Sequence, residues 1–123
     1  MSDHPNHLEQ VANRLGIGSY RGHVLLCTGP NCCSLEEGLK AWDVLKGEIK
    51  ARGLDKGENQ CYRTKVGCLR VCSNGPILLV YPEGRWYHDM TAERIAEFVN
   101  KDLVANQPVE SEVFATNPLP EKE

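Results

Sequence analysis

The chain has 123 residues, a length that suits one domain with a buried core, and its 41% hydrophobic and 25% charged residues are ordinary for a globular protein. Its formal net charge of −3, with the basic residues scattered, argues against nucleic acid as a partner. No apolar run approaches the ~20 residues that cross a membrane, and no signal-peptide pattern opens the chain. We therefore expect a cytoplasmic protein that works without nucleic acid or membrane.

The N-terminal part of the chain predicts a short helix followed by a buried strand. Apolar residues recur at helical spacing over 6–15, with Asn6 as the candidate N-cap, and we expect this helix to pack on the domain as an extension. The apolar run 23–26 is typical of a buried strand, and it ends at Cys27, just before the turn-forming residues 28–31.

The middle of the chain predicts a long helix and three further strands. Ser34 begins a capping box for an amphipathic helix that ends near Gly53. Strands are expected over 60–66 and 77–80, and a turn at 82–84 connects the second of them to a return strand.

A last helix is predicted after Thr91, which is its candidate N-cap. The tail that follows contains three prolines and several acidic residues, which indicates either a strap lying on the domain or a partly disordered segment. The order of strand, helix, strand, hairpin and helix predicts an α/β protein of thioredoxin-like sandwich type. Its sheet is expected to be mixed, four-stranded and covered by helices.

The six cysteines are the strongest indication of chemistry in this chain. Cytosolic proteins keep their thiols reduced, so the cysteines indicate metal or redox chemistry before a disulfide framework. Four residues separate Cys27 from Cys32, three separate Cys68 from Cys72, and both pairs lie in loops that follow predicted strands. If those strands are parallel neighbours, four thiolates meet at one edge of the sheet and match the ligand set of a [2Fe–2S] cluster.

The residues around both pairs suit an anionic cluster. Glycines flank the cysteines and predict loops whose backbone amides face sulfur; they are Gly29, Gly67 and Gly75. Three basic residues close to the second pair are candidates to offset its negative charge; they are Arg63, Lys65 and Arg70. Arg70 lies between the two ligands, where we expect it to tune the reduction potential or to dock an acidic partner. A solvated loop arginine is the alternative interpretation of this residue.

A structural zinc site and a catalytic dithiol stay open as other uses of the cysteines. Both more often show Cys-x2-Cys spacing, which neither pair has. Cys32 and Cys33 are adjacent, and an adjacent pair closes only a strained disulfide ring. Cys61 and one member of that pair also fit the role of small buried hydrophobes. None of the four histidines lies in a ligand loop, which argues against a Rieske site.

Several motifs in the second half of the chain match one known family; they are Gly67-Cys68 with Cys72, Gly75-Pro76, the apolar strand 77–80, Tyr81-Pro82-Glu83-Gly84 and Trp86-Tyr87. They resemble the thioredoxin-like [2Fe–2S] ferredoxins, whose cluster fold also occurs in the small subunit beside the flavin subunit of respiratory complex I. The segment HVLLCTGPNCC is similar to the family's first strand and first ligand loop. The resemblance implies a ferredoxin domain over 22–104, an N-terminal helical extension over 1–21 and a C-terminal tail over 105–123.

The resemblance implies a one-electron carrier that binds one [2Fe–2S] cluster per chain and is not an enzyme. It carries over Cys27, Cys68 and Cys72 as ligands. The spacing selects Cys32 as the fourth, with Cys33 as the alternative. Redox proteins are the implied partners, and a homodimer stays open because family members are often homodimers. The competing hypotheses are a thioredoxin-like thiol–disulfide redox protein and a zinc-stabilised adaptor domain.

Overall fold

The computed structural model describes residues 3–57 and 60–119 of the chain. The helices are α1 (Asp3–Leu15), α2 (Leu35–Ala51) and α3 (Ala92–Phe98), and α3 continues into a π-helical turn at Val99–Val104. The strands are β1 (Gly22–Cys27), β2 (Cys61–Val66), β3 (Leu78–Tyr81), β4 (Arg85–Tyr87) and β5 (Val113–Thr116), with a 3-10 turn at Glu110–Glu112 before β5. Within these ranges, none of the helices combines the length and the hydropathy that crossing a bilayer requires.

The strands form one mixed sheet in the order β2-β1-β3-β4-β5. β1 and β2 run parallel, with Cys27 opposite Val66, and the other neighbouring strands are antiparallel. The parallel pair is connected through α2, because parallel strands need a long crossover. The predicted mixed α/β sheet is confirmed, but it has five strands rather than the predicted four. The fifth comes from the C-terminal tail, where Ala115 pairs with Trp86 of β4.

The long helix α2 begins and ends where the sequence predicts. The Ser34 hydroxyl accepts a hydrogen bond from the Glu37 amide at 3.1 Å, which satisfies one of the donors left open in the first turn. After Ala51 the chain leaves the helix through Gly53, whose φ of +69° is in the left-handed region that glycine tolerates.

The N-terminal helix α1 differs from its prediction. It begins at Asp3, so the prediction of Asn6 as its N-cap is wrong, and Asn6 lies inside the helix. Its apolar side chains stay largely exposed, with Leu8 at 63% and Leu15 at 42%. Its C-terminal end is held to the sheet, because Gln60 Nε2 donates a hydrogen bond of 2.6 Å to the Leu15 carbonyl oxygen.

α2 and α3 pack together and cover one face of the sheet. Val24 and Leu26 point into this core from alternate positions of β1, as the pleat of a strand requires. The rings of Tyr87 and Phe98 meet edge to face with their centroids 5.1 Å apart. The predicted core role of the strand at 77–80 is confirmed, since its side chains are at most 4% exposed.

A second, smaller apolar cluster lies at the end of the sheet where β1 and β2 finish. Its buried members are Cys27, Cys32 and Ile77. Partly buried side chains pack against them: Cys33, Val66, Leu69, Val71 and Trp86. Because Cys27 follows Leu26 along a pleated strand, it points away from the core that the helices cover. The three cysteines at 27–33 therefore lie beside apolar groups that shield this end of the sheet from water.

A buried ionic network holds the opposite end of β1. Asp102, in the π-helical turn, is fully buried, and its Oδ2 accepts hydrogen bonds from Arg85 at 3.0 Å and from the Tyr87 hydroxyl at 2.5 Å. Arg21, just before β1, donates to the Asp102 carbonyl oxygen at 2.9 Å and pairs with Glu83 at 3.5 Å. Burial and the bond to Asp102 raise the pKa of Tyr87 above its ordinary value, so this hydroxyl stays a donor.

Candidate functional site

Two cysteine-bearing loops meet at one edge of the sheet. The first loop leaves β1 after Cys27 and the second leaves β2 after Val66, at the same end of the parallel pair. The Thr28 amide donates to the Val66 carbonyl oxygen at 3.0 Å, and the Gly75 amide donates to the Cys32 carbonyl oxygen at 2.9 Å. The first loop is thus hydrogen-bonded to both ends of the second. The prediction that both loops emerge at the same edge is confirmed.

The thiols of the first loop lie close together. Cys27 is 1% exposed and Cys32 is 6% exposed, whereas Cys33 is only partly buried. The Cys32 thiol donates to the Cys27 carbonyl oxygen at 3.6 Å, and its sulfur lies 3.8 Å from the sulfur of Cys33. The loop therefore presents two buried sulfurs and one more accessible sulfur within a small volume.

The second loop presents its cysteines outward. Cys68 and Cys72 are both exposed, and the Arg70 amide donates to the Cys68 sulfur at 3.1 Å. Arg70 reaches this position with a φ of +73°, a left-handed conformation that is uncommon for a residue other than glycine. The two loops touch where the Cys27 sulfur lies 3.8 Å from the Gly67 carbonyl oxygen.

The four predicted ligands are not assembled around one point in this structure. Across residues 3–57 and 60–119, no three side chains of His, Cys, Asp or Glu form a group that could hold a single metal ion. The structure brings Cys27 and Cys32 together and places the loop with Cys68 and Cys72 beside them. The ligand set of Cys27, Cys32, Cys68 and Cys72 stays a prediction.

Backbone amides face the sulfurs of Cys27 and Cys68, although not all of these amides belong to the flanking glycines. Burial raises the pKa of the Cys27 thiol and nearby Cys32 adds to this, while the backbone N–H groups of Gly29 and Leu69 lower it by hydrogen bonding. Gly29 thus has the predicted role. The Gly75 prediction is wrong, because the Gly75 amide donates to a backbone carbonyl rather than to sulfur. The sequence does not predict the contacts of the Leu69 and Arg70 amides with sulfur, because a backbone donor has no signature in the side chains.

The charge around Cys33 differs from the charge around the second loop. Burial raises the pKa of the Cys33 thiol, and the negative charge of Glu37 acts in the same direction, while a hydrogen bond with Cys32 opposes it. Glu36 and Glu37 both lie in the first turn of α2, directly after the first loop. The first loop therefore borders an acidic helix start, whereas the second loop carries Arg70.

Two glycines allow the loops to pack closely. A Cβ on Gly29, whose φ is +93°, would lie 2.5 Å from the Cys33 carbonyl oxygen. A Cβ on Gly75 would lie 2.7 Å from the Cys32 carbonyl oxygen and 2.8 Å from the Cys32 Cβ. Real Cβ atoms do not approach other atoms so closely, so both loop conformations require glycine.

Cys61, Arg63 and His23 lie outside this site. Cys61 is 2% exposed at the start of β2, which is the end of that strand remote from the loops, as a core role predicts. The Arg63 guanidinium lies over the ring of Trp42 in α2, 5.5 Å from its centroid, so it packs on the helix side of the sheet. His23 hydrogen-bonds to Thr64 with 2.7 Å between Nε2 and Oγ1, away from the loops.

The fold and this site define a thioredoxin-like α/β protein with paired cysteine loops at one sheet edge. No protein-family model matches the chain. A 2Fe-2S ferredoxin of Aquifex aeolicus is 39% identical over 57 residues, which cover 46% of this chain and about half (51%) of that relative. A 2Fe-2S ferredoxin of Clostridium pasteurianum is 28% identical over 88 residues, covering 66% of this chain and 83% of the relative.

The solved structures lead to the same family. The thioredoxin-like [2Fe-2S] ferredoxin from Aquifex aeolicus superposes with a TM-score of 0.68 and 26% identity, over 77% of this chain and 97% of that chain. The predicted resemblance to the thioredoxin-like [2Fe–2S] ferredoxins is therefore confirmed in sequence and in fold.

Proposed function

We propose that this protein is a one-electron carrier in which Cys27, Cys32, Cys68 and Cys72 hold one [2Fe–2S] cluster per chain. The observation that carries the proposal is the meeting of two cysteine loops at one sheet edge, in a fold shared with a thioredoxin-like [2Fe-2S] ferredoxin. When bound, such a cluster accepts one electron and releases it again. No covalent bond of a substrate is made or broken, so the protein is a carrier and not an enzyme.

The residues of the site fit an anionic cluster. Four cysteine thiolates are the ligands that a [2Fe–2S] cluster takes. The amides of Gly29 and Leu69 approach the Cys27 sulfur, and the Arg70 amide approaches the Cys68 sulfur, so each loop contributes donors that stabilise negative charge on its ligands. The apolar cluster behind Cys27 excludes water from the buried side of the site.

Burial and charge favour Cys32 over Cys33 as the second ligand. Cys32 belongs to the buried cluster that contains Cys27, and its thiol lies 3.6 Å from the Cys27 carbonyl oxygen. Cys33 is more exposed, and the nearby carboxylate of Glu37 disfavours a thiolate there. In this proposal Cys33 is a neighbour of the cluster and not a ligand.

Anaerobic reconstitution with iron and sulfide tests the proposal. We expect a brown protein with visible sulfur-to-iron charge-transfer bands, two irons and two sulfides per chain, as a [2Fe–2S] cluster requires, and a paramagnetic resonance signal after one-electron reduction. A colourless protein that holds one zinc, or one that reduces disulfides, would overturn the proposal in favour of an adaptor domain or a thiol–disulfide protein.

Single serine substitutions test the ligand assignment. Cys27→Ser, Cys32→Ser, Cys68→Ser and Cys72→Ser should each shift the visible spectrum and lower the iron retained. Cys33→Ser should keep the spectrum of the unsubstituted protein, and Cys61→Ser is the matched control because Cys61 lies at the far end of β2. Loss of the spectrum in Cys33→Ser but not in Cys32→Ser would reverse the assignment.

The proposal places the protein in the cytoplasm, among redox partner proteins. Cysteine ligands have to stay reduced to bind a cluster, and the cytoplasm is a compartment that keeps thiols reduced. A homodimer is part of the proposal because members of the resembled family are often homodimers. Light scattering coupled to size-exclusion chromatography should give a mass about twice the chain mass of 13.7 kDa. A mass equal to that of one chain would remove the dimer and leave the electron carrier intact.

A further inference from the structure

The two sides of the candidate site differ in exposure. Cys27 and Cys32 are buried, with 1% and 6% of their surface exposed, whereas Cys68 and Cys72 are both exposed. Electron transfer between proteins slows steeply as the distance between the redox centres grows. A partner therefore reaches a cluster held by these residues most closely from the side of the second loop.

The charge of that side is opposite in sign to the charge of the whole chain. Three basic residues and no acidic residue lie between Gln60 and Pro82, although the chain carries a net charge of −3. Lys65 and Arg70 flank Cys68 in the sequence and are both exposed, and neither forms an ion pair with any residue that the structure describes. They are available to the carboxylates of another molecule.

The other side of the site has the reverse charge. Glu36 and Glu37 occupy the first turn of α2, next to Cys33, and Glu36 and Glu37 are both exposed. An acidic partner is repelled from this side and attracted to the second loop. The charges therefore favour one direction of approach, and it is the direction that leads to the exposed cysteines.

We propose that residues 65–72, here called the basic edge, form the docking surface for a redox partner whose own redox centre is ringed by acidic side chains. This inference rests on the proposed function. Leu69 and Val71 are half-buried within the basic edge and supply apolar contact between the charged residues. A small apolar centre with a charged rim is the usual composition of a transient interface. Charge complementarity selects the acidic partner and speeds its encounter.

Charge reversal at the basic edge tests the proposal, with a matched reversal elsewhere as the control. K65E/R70E changes the net charge by as much as K50E/K56E, and Lys50 and Lys56 are exposed at and beyond the far end of α2. At a rise of about 1.5 Å per residue, that end lies more than about 20 Å along the helix from the first loop. Glutamate at position 70 keeps the backbone amide that faces Cys68.

Two inorganic oxidants of opposite charge report the local charge at the surface through which the cluster gives up its electron. Reduced, cluster-loaded protein is mixed in a stopped-flow instrument with anionic ferricyanide or with cationic hexaamminecobalt(III), at low and at high salt. At low salt K65E/R70E should slow the reaction with ferricyanide by about tenfold or more and speed the reaction with the cobalt complex. The differences should shrink at ~0.5 M salt, because screening shortens the reach of surface charges. The K50E/K56E variant should follow the unsubstituted protein.

Binding of fluorescent poly-L-glutamate tests docking by a macromolecular polyanion. The unsubstituted protein and K50E/K56E should bind it at low salt, and K65E/R70E should bind about tenfold more weakly or not at all. Equal effects of both charge-reversal variants in the two assays would overturn the proposal, since net charge alone would then explain them. If K65E/R70E fails to fold, the neutral variant K65Q/R70Q takes its place. Absence of the [2Fe–2S] spectrum from all proteins would instead refute the proposed function.

Discussion

Gly38→Ala and Gly47→Ala, two substitutions in the same helix, should change stability in opposite directions. Gly38 lies in α2 where the helix passes the first cysteine loop, and a Cβ there would be 2.2 Å from the Thr28 carbonyl oxygen. Gly47 is exposed, and a Cβ there would meet nothing within 4 Å. The pair therefore separates the intrinsic preference of a helix for alanine from the close approach of α2 to the loop.

The expected magnitudes follow from those distances. Alanine stabilises a helix by about 0.5–1 kcal/mol relative to glycine, and Gly47→Ala should increase the free energy of unfolding by that amount. Gly38→Ala has the same gain in helix preference. Its new Cβ, however, must move more than 1 Å away from the Thr28 carbonyl oxygen to reach the 3.4 Å of ordinary van der Waals contact. Because the obstacle is backbone, overpacking of this kind costs up to about 3 kcal/mol, which leaves a net loss of about 2 kcal/mol.

Urea unfolding followed by circular dichroism measures both effects. The two variants should differ by about 3 kcal/mol, which at typical urea dependences separates their midpoints by about 1 M or more. Thr28 follows Cys27 directly, so Gly38→Ala should also displace the first cysteine loop and, under the proposed function, lower the iron retained after reconstitution. A midpoint for Gly38→Ala at or above that of the unsubstituted protein would refute the close approach of α2 to Thr28.

Three further predictions concern the ionic network, the loop packing and the pH dependence. Asp102→Asn should destabilise the fold by about 3 kcal/mol, because it removes the carboxylate that pairs with the largely buried Arg85 and one of the two that pair with Arg21; a change in the unfolding midpoint worth less than about 1 kcal/mol would contradict this. Gly75→Ala should lower iron retention by forcing a contact of 2.7 Å with Cys32, whereas Gly67→Ala, which meets nothing within 4 Å, should retain iron. Burial lowers the pKa of the His23 imidazole below its ordinary value of 6.5. The unfolded chain therefore binds a proton at His23 more readily than the folded chain does, and the free energy of unfolding should fall as the pH drops through 6.5. His23→Gln should flatten that fall in thermal melts between about pH 7.5 and pH 5.5, and an unaltered pH slope would show that His23 is not its source.

Much of the fold could be predicted because its signals are local. The Ser34 cap, the apolar stripe of α2 and the left-handed Gly53 depend on groups within one or two helical turns of each other, so the sequence displays them directly. The parallel arrangement of β1 and β2 followed from a strand, a long helix and a second strand in that order. The meeting of the two cysteine loops at one edge was a consequence of that arrangement.

The errors arose where distant segments decide the outcome. The strand β5 has four residues, too few for its sequence pattern to predict a strand. It forms because the edge of β4 is otherwise unpaired. The start of α1 was misjudged because Asn6 looked like a cap, although the helix already begins at Asp3. β5 adds a strand beyond β4 and leaves the pairing of β1 with β2, from which both cysteine loops emerge, as predicted.

The sequence by itself determined which residues are the candidates for the chemistry, because cysteine number, spacing and flanking turns are properties of the linear chain. Only the tertiary structure decided how those residues differ from one another. Burial of Cys27 and Cys32, exposure of Cys68 and Cys72, and the amide of Leu69 near the Cys27 sulfur all depend on where two separate loops come to rest. Exposure and hydrogen bonding are set by neighbours in space, and those neighbours lie some 40 residues apart in the chain, as Cys27 and Gly67 do.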